Sequence, residues 1–237
     1  MRGDLDALAL AFSQKGRLLV REILEDSFAQ RLHRRMATWP EWALVTRISG
    51  EHRSFDANGM DSVPHDKRAA FDELVAVEAR QGFQYLYERY PLYDHARMGV
   101  LKDAVLGEAV DLVRSPEFLA LGRKLTGNEA ITFADAQLTR YRRGHFLTLH
   151  DDTADGMNRV AAFVINLTPA WAADFGGQLQ FVDKSGAVEE VFVPGFNTLS
   201  LFAVPHPHAV SAVAPFVATH RYAITGWLRT GAEAPVP

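Results

Sequence analysis

Cysteine is absent from the 237 residues. That excludes disulfides, thiolate nucleophiles, and cysteine-held zinc or iron–sulfur sites, so any metal must be bound by nitrogen and oxygen. No apolar run reaches 18 residues, so no segment has the length of a membrane-spanning helix. The start, "MRGDLDALALAF", carries two aspartates and makes a poor signal peptide. Charge of one sign is also lacking: 25 basic against 29 acidic side chains gives −4, with no basic field to attract nucleic acid. What is present is a 48% apolar chain, enough for a full-sized core. These features point to a soluble, cytoplasmic protein of one domain spanning 1–237.

The two halves differ in period. In the first, "GRLLVREIL" reads as a strand leading into a helix, and "DSFAQRLHRRMATW" has helical spacing at Phe28, Leu32 and Met36. "EWALVTRI" alternates like a strand. Residues 49–66 are polar, with glycine and proline, and read as a loop long enough to act as a lid; 49–64 is expected at the open end of the core. Helices are expected over 67–80 and 101–126, with Ser115-Pro116 opening the last. The aromatic stretch 85–98 could line a peptide groove, but a packed helix and loop is the favoured reading. From about residue 130 the period becomes two. Eight short candidates, from "ITFADAQLTRY" to "HRYAITGWLR", indicate a sandwich, barrel or jelly roll over 131–229, with 1–130 as its strand–helix support.

"LTLHDD" puts His150 and Asp152 two residues apart at a strand end, so both side chains can face one side while Asp151 faces away. An H-x-D triplet alone is also what a surface turn shows. A third ligand must come from a distant strand. The late histidines are His206, His208 and His220; His206 precedes a proline, which biases it toward a loop, whereas His208 starts an alternating run. Two imidazoles and one carboxylate would leave half an octahedron open, the facial triad of non-haem iron(II) oxygenases. Alternation also gathers Arg221, Ala223, Thr225 and Trp227 on one face, Gln137, Thr139 and Tyr141 on another, and Ala162, Val164 and Asn166 on a third. Three polar, roomy strand faces suggest an interior that holds a ligand.

With these residues in view the chain resembles the iron(II)/2-oxoglutarate-dependent oxygenases of the prolyl hydroxylase type, and within them the ribosomal-protein prolyl 3-hydroxylase branch. The resemblance is carried, in order, by "YRRGHFLTLHDD", "FVINLTPAW", "FGGQLQF", "HPHAVSAV" and "HRYAITGWL" over 136–229, preceded by "RLLVREILEDSFAQRL". It implies an α+β protein built on a double-stranded β-helix, the cupin-like jelly roll, with N-terminal helices. It implies Fe(II) on His150, Asp152 and His208. It also implies 2-oxoglutarate as co-substrate on Arg221, with Tyr141, Asn166 and Thr225 nearby, and dioxygen, with ascorbate as a candidate addition. Asn166 stands where relatives have a tyrosine. Gln137, Thr139 and Trp227 are candidate substrate-pocket residues. The reaction implied is hydroxylation of a prolyl residue in a protein or peptide, the ribosome being one candidate source, with succinate and CO2 as co-products. Arg229 shares a face with Arg221 but sits at a chain end expected to be frayed and solvated.

Three alternatives remain at this stage. One is a hydroxylase of a free amino acid or small metabolite. Another is a cupin-like metal-dependent isomerase or binding module, for which Arg221 would be an ordinary exposed residue. The last is a nucleic-acid demethylase, suggested only by Arg140, Arg142 and Arg143 and disfavoured by the net charge.

Overall fold

A computed structural model of the chain describes residues 4–233. The N-terminal half contains α1 (Leu5–Lys15), β1 (Arg17–Arg21), α2 (Asp26–Ala37), β2 (Ala43–Ile48), β3 (Glu51–Asp56), α3 (Ala57–Asp61), α4 (His65–Gln81), β4 (Tyr85–Tyr90), α5 (Leu92–Arg97), α6 (Ala104–Arg114) and α7 (Pro116–Thr126). The C-terminal half is β5 (Ile131–Tyr141), β6 (Phe146–His150), β7 (Arg159–Asn166), β8 (Leu179–Val182), β9 (Val188–Phe192), β10 (Thr198–Ala203), β11 (His208–Val210) and β12 (Arg221–Thr230).

Local chemistry accounts for the helix limits. The Asp4 carboxylate caps α1 by accepting from the amides of Asp6 and Ala7, and Gly16 ends the helix at φ 66°. The Ser115 hydroxyl accepts from the Phe118 amide, and Pro116 takes the first turn of α7, where its missing N–H costs nothing. On α2 the spacing of Ala29, Leu32 and Met36 puts all three in the core.

All strand pairings are antiparallel. Strands β5 to β12 divide between two sheets, with the consecutive pair β8 and β9 in one of them. One has the order β10-β7-β12-β5, extended by β1; the other has the order β6-β11-β8-β9. This is the double-stranded β-helix. Strand β4 joins the sheets: Glu88 to Tyr90 pair with β5, while Tyr85 and Leu86 pair with β6. The long final strand decides where the core lies. Its Tyr222, Ile224 and Leu228 pack with the helices, while Arg221, Thr225 and Trp227 turn toward a cavity between the sheets. Gly226 belongs to the helix-facing set and approaches β5 so closely that a Cβ there would lie 2.0 Å from the Asp135 carbonyl oxygen.

Two expectations fail. Residues 49–66 are not a loop: Ser49 (φ 55°) and Gly50 (φ 77°) turn a hairpin from β2 into β3, which runs into α3. Strand β3 lies at an edge and is mostly solvent-facing, so it lacks the apolar alternation of an interior strand. Residues 85–98 are not simply helix and loop, because Tyr85–Tyr90 form β4 before the short α5. Helix α1 was not anticipated, although its aspartate cap and glycine stop were both in the sequence.

Candidate metal and co-substrate site

The cavity between the sheets has a volume of about 550 Å³. His150 ends β6 and His208 begins β11, and the two are register partners across that strand pair. With Asp152 they offer ligand atoms that all lie within 4.8 Å of one another. His150 Nε2 is 3.4 Å from Asp152 Oδ1, and His208 Nε2 is 3.6 Å from Asp152 Oδ2. Each imidazole is aimed in the same way. Nδ1 of His150 donates to the Thr148 carbonyl (2.9 Å), and Nδ1 of His208 donates to the His206 carbonyl (2.7 Å). Both protons therefore sit on Nδ1, leaving both Nε2 lone pairs free for a cation.

Asp152 reaches this point by a different route from the one its spacing suggested. It lies beyond the end of β6 with φ 64°, so a left-handed turn, and not strand alternation, swings its carboxylate back to the histidines. Burial works to raise its carboxyl, but His150 and His208 outweigh burial and hold it below the usual range. Burial, then the neighbouring His150, pushes His208 down to about 4, so it is neutral and ready to bind a metal at ordinary pH. This donor set fits iron(II): three nitrogen and oxygen ligands, with no soft ligand. Asp151 instead accepts from the Thr153 amide. His145, His206 and His220 are not in the cluster.

Deeper in the cavity Arg221 is 4% exposed. Its Nη2 donates to Asn166 Oδ1 (3.2 Å), while Nε and Nη1 are buried without a partner. It forms no ion pair with a carboxylate among the described residues. Burial draws its pKa down, yet an arginine stays charged. A buried, unpaired guanidinium facing a cavity fits an anionic ligand such as the far carboxylate of 2-oxoglutarate. The buried Thr225 hydroxyl is also unpartnered. Tyr141 lies beneath the guanidinium, its ring centroid 5.2 Å from Cζ, and stacks on Tyr87 at 5.2 Å and 6°. Burial raises both phenols.

Asn166 is committed to the protein as well: its amide nitrogen lies 3.2 Å from the Thr198 hydroxyl and 3.5 Å from that of Ser200. Of the candidate substrate-pocket residues, Gln137 and Trp227 line the cavity with Thr139. Thr139, however, spends its hydroxyl on the Ala223 carbonyl. The Trp227 ring lies 3.7 Å from the Arg159 guanidinium.

Arg229 departs from expectation. It is held in place, with Nη1 2.9 Å from Asp135 Oδ2 and Nε 2.6 Å from the Met157 carbonyl, and it lines the same cavity. Asp135 and Arg159 are cavity residues that the sequence did not single out, and Tyr85, Tyr87 and Arg89 line the cavity from the stretch 85–98, for which a groove lining was the less favoured reading. The alternation in "YLYERY" was a strand signal for these last three. His52, on β3, reaches the cavity lining and lies 2.6 Å from the Tyr85 hydroxyl.

Residues 136–229 match the family model of the 2OG-Fe(II) oxygenase superfamily. A mouse protein, prolyl 3-hydroxylase OGFOD1, is 30% identical over 118 residues, or 47% of this chain; the chain spans about a fifth (21%) of that protein's length. Among solved structures, a Pseudomonas putida prolyl-4-hydroxylase shares the fold with a TM-score of 0.60 at 15% identity, over 96% of this chain and 99% of that one. A prolyl hydroxylase solved with a hypoxia inducible factor peptide fragment from Trichoplax adhaerens does so with a TM-score of 0.55 at 19% identity, over 95% and 89%.

Proposed function

We propose that this protein is an iron(II)- and 2-oxoglutarate-dependent dioxygenase that hydroxylates a prolyl residue in a protein or peptide. The observation that carries the reading is the placement of a His-Asp-His cluster and a buried, carboxylate-free arginine in one cavity. A cupin-like isomerase or binder would not need Arg221 buried and unpaired. The basic cluster that suggested a nucleic-acid substrate is largely engaged in ion pairs, Arg140 with Glu88 and Arg142 with Asp61 and Glu88.

In this reading His150, Asp152 and His208 hold Fe(II), and Arg221 grips the far carboxylate of 2-oxoglutarate with its free Nε and Nη1. Asn166 fixes the guanidinium, and Thr225 and Tyr141 border the co-substrate. The bound metal, co-substrate and dioxygen supply the oxidation that inserts one oxygen into a C–H bond, with 2-oxoglutarate leaving as succinate and CO2. The chain's own residues exclude water and orient both partners. Trp227 and Gln137, with Thr139 behind them, form the wall that the prolyl ring meets. The likeness to the mouse prolyl 3-hydroxylase and to a peptide-bound prolyl hydroxylase supports a polypeptide substrate, with a ribosomal protein as one candidate. Ascorbate is the reductant to include in assays, and the cytoplasm is the compartment in which to look for the substrate. No helix among the described residues is long and apolar enough to cross a membrane.

The test is a panel of proline-containing peptides and free amino acids incubated with Fe(II), 2-oxoglutarate and ascorbate. Succinate release coupled to a gain of one oxygen on a peptide proline is expected. Coupled turnover of free amino acids alone would replace the polypeptide substrate with a small one. No turnover with any substrate, together with no 2-oxoglutarate binding, would reject the reading.

A further inference from the structure

The metal cluster is tied to the N-terminal strand through a residue with no place in the site described so far. Arg17 opens β1 and is 6% exposed. Its Nε lies 2.6 Å from Glu190 Oε2 and its Nη2 lies 2.9 Å from Glu189 Oε2. Its Nη1 lies 3.0 Å from His206 Nε2. A guanidinium can only donate, so His206 accepts on Nε2 and its ring is neutral with the proton on Nδ1. The same guanidinium covers the Phe181 ring at 4.9 Å, and Phe181 meets the His206 ring edge-on at 5.2 Å. Phe181 is in turn the register partner of His208.

The backbone around His206 is held from the same side. Gly16 accepts from the Ala203 amide (2.7 Å) at the end of β10, and Pro207 accepts from the Val182 amide (3.1 Å). A Cβ on Gly16 would come within 3.5 Å of the His206 ring. These bonds hold the chain on either side of His206, whose own amide donates to the Asp151 carbonyl (3.4 Å) and whose carbonyl is the acceptor that orients His208.

We propose that Arg17 is a positioning residue: it clamps the His206 side chain and thereby fixes the carbonyl that aims His208 Nε2 at the metal. This rests on the metal-centre reading above. A ligand histidine depends on the partner of its other nitrogen, and loss of such a partner weakens metal binding roughly 10- to 100-fold. Arg17 stands one step further out but acts on that same hydrogen bond. The peptide carbonyl survives any substitution at position 206, so Arg17→Met and His206→Ala should both fall at the lower end of that range.

Co(II) binding, followed by the visible absorption of the bound ion, tests the proposal on the full chain without turnover. His208→Ala tests the parent reading separately: if it binds Co(II) like the wild type, the metal centre itself is misassigned. Arg17→Met and His206→Ala should each weaken Co(II) about tenfold, and the double variant should be no weaker than the worse single one. Wild-type Co(II) affinity in Arg17→Met, with only a lower melting temperature, would reduce Arg17 to a structural ion pair and overturn the proposal. Losses that multiply in the double variant would also overturn it, because the two residues would then act independently. If Arg17→Met does not fold, His206→Ala decides alone: a tenfold loss supports the clamp and unchanged affinity refutes it.

Discussion

Replacing Arg221 with methionine should have two effects of opposite sign. In the free protein Arg221 is a buried cation with two unpartnered nitrogens and no carboxylate counterpart. Such a group is costly to keep out of water, and an apolar side chain of similar length fills the space without that cost. The melting temperature of ligand-free Arg221→Met should therefore rise or hold. Its affinity for 2-oxoglutarate should fall. Each hydrogen bond to a charged group contributes about 1.5–3 kcal/mol, so losing even one of the bonds available to Nε and Nη1 corresponds to roughly 10- to 100-fold weaker binding at about 1.4 kcal/mol per tenfold. Calorimetric titration of 2-oxoglutarate into Mn(II)-loaded protein measures this directly, and Mn(II) affinity should be unchanged because Arg221 is not in the ligand cluster. Wild-type 2-oxoglutarate affinity in Arg221→Met would refute the assignment. A large fall in melting temperature would show that the guanidinium stabilises the free fold by contacts other than those seen.

Two further predictions concern stability. His145 is buried, and desolvation with the Arg142 charge pushes it down to about 3, so the unfolded chain binds a proton there that the folded chain refuses. Its contribution is complete above the ordinary histidine pKa of about 6.5 and is lost as pH falls from there toward 3. Denaturation of metal-free protein between pH 7 and 4 should show a shallower acid loss for His145→Phe than for the wild type, and equal slopes would count against the buried neutral ring. Gly226→Ala should destabilise by at least about 1–3 kcal/mol, because its Cβ would sit 2.0 Å from the Asp135 carbonyl oxygen and 2.7 Å from Phe163 Cζ; chemical denaturation with an unchanged midpoint would contradict the β5–β12 approach.

The eight strands from β5 to β12 were legible because they are short apolar or alternating runs bounded by turn residues. His150 and His208 could be picked out because one ends a strand in an H-x-D triplet and the other begins a strand. Asp152 was found for an incomplete reason, since no local pattern announces its positive φ. Strand β4 escaped because each of its faces mixes aromatic and charged residues: Tyr85, Tyr87 and Arg89 face the cavity, while Leu86, Glu88 and Tyr90 are buried on the other side, with Glu88 paired to Arg140. The anchoring of Arg229 depends on Asp135, 94 positions away and visible only once β5 and β12 are paired. Long-range partnerships of this kind leave no mark on the sequence near either residue.

Strand β4 also has a consequence for anyone cutting the chain. The stretch matching the superfamily begins at residue 136, so a fragment trimmed to it would discard the segment that spans the gap between β5 and β6. Each of those strands would then present an unsatisfied edge, Arg140 would lose Glu88, and the cavity would lose its Tyr85–Tyr87 wall. Unpaired edges invite pairing with other chains. Such a fragment would be a split cylinder prone to stick to its neighbours, and the smallest autonomous unit must reach back past Tyr85, beyond the stretch that the superfamily model matches.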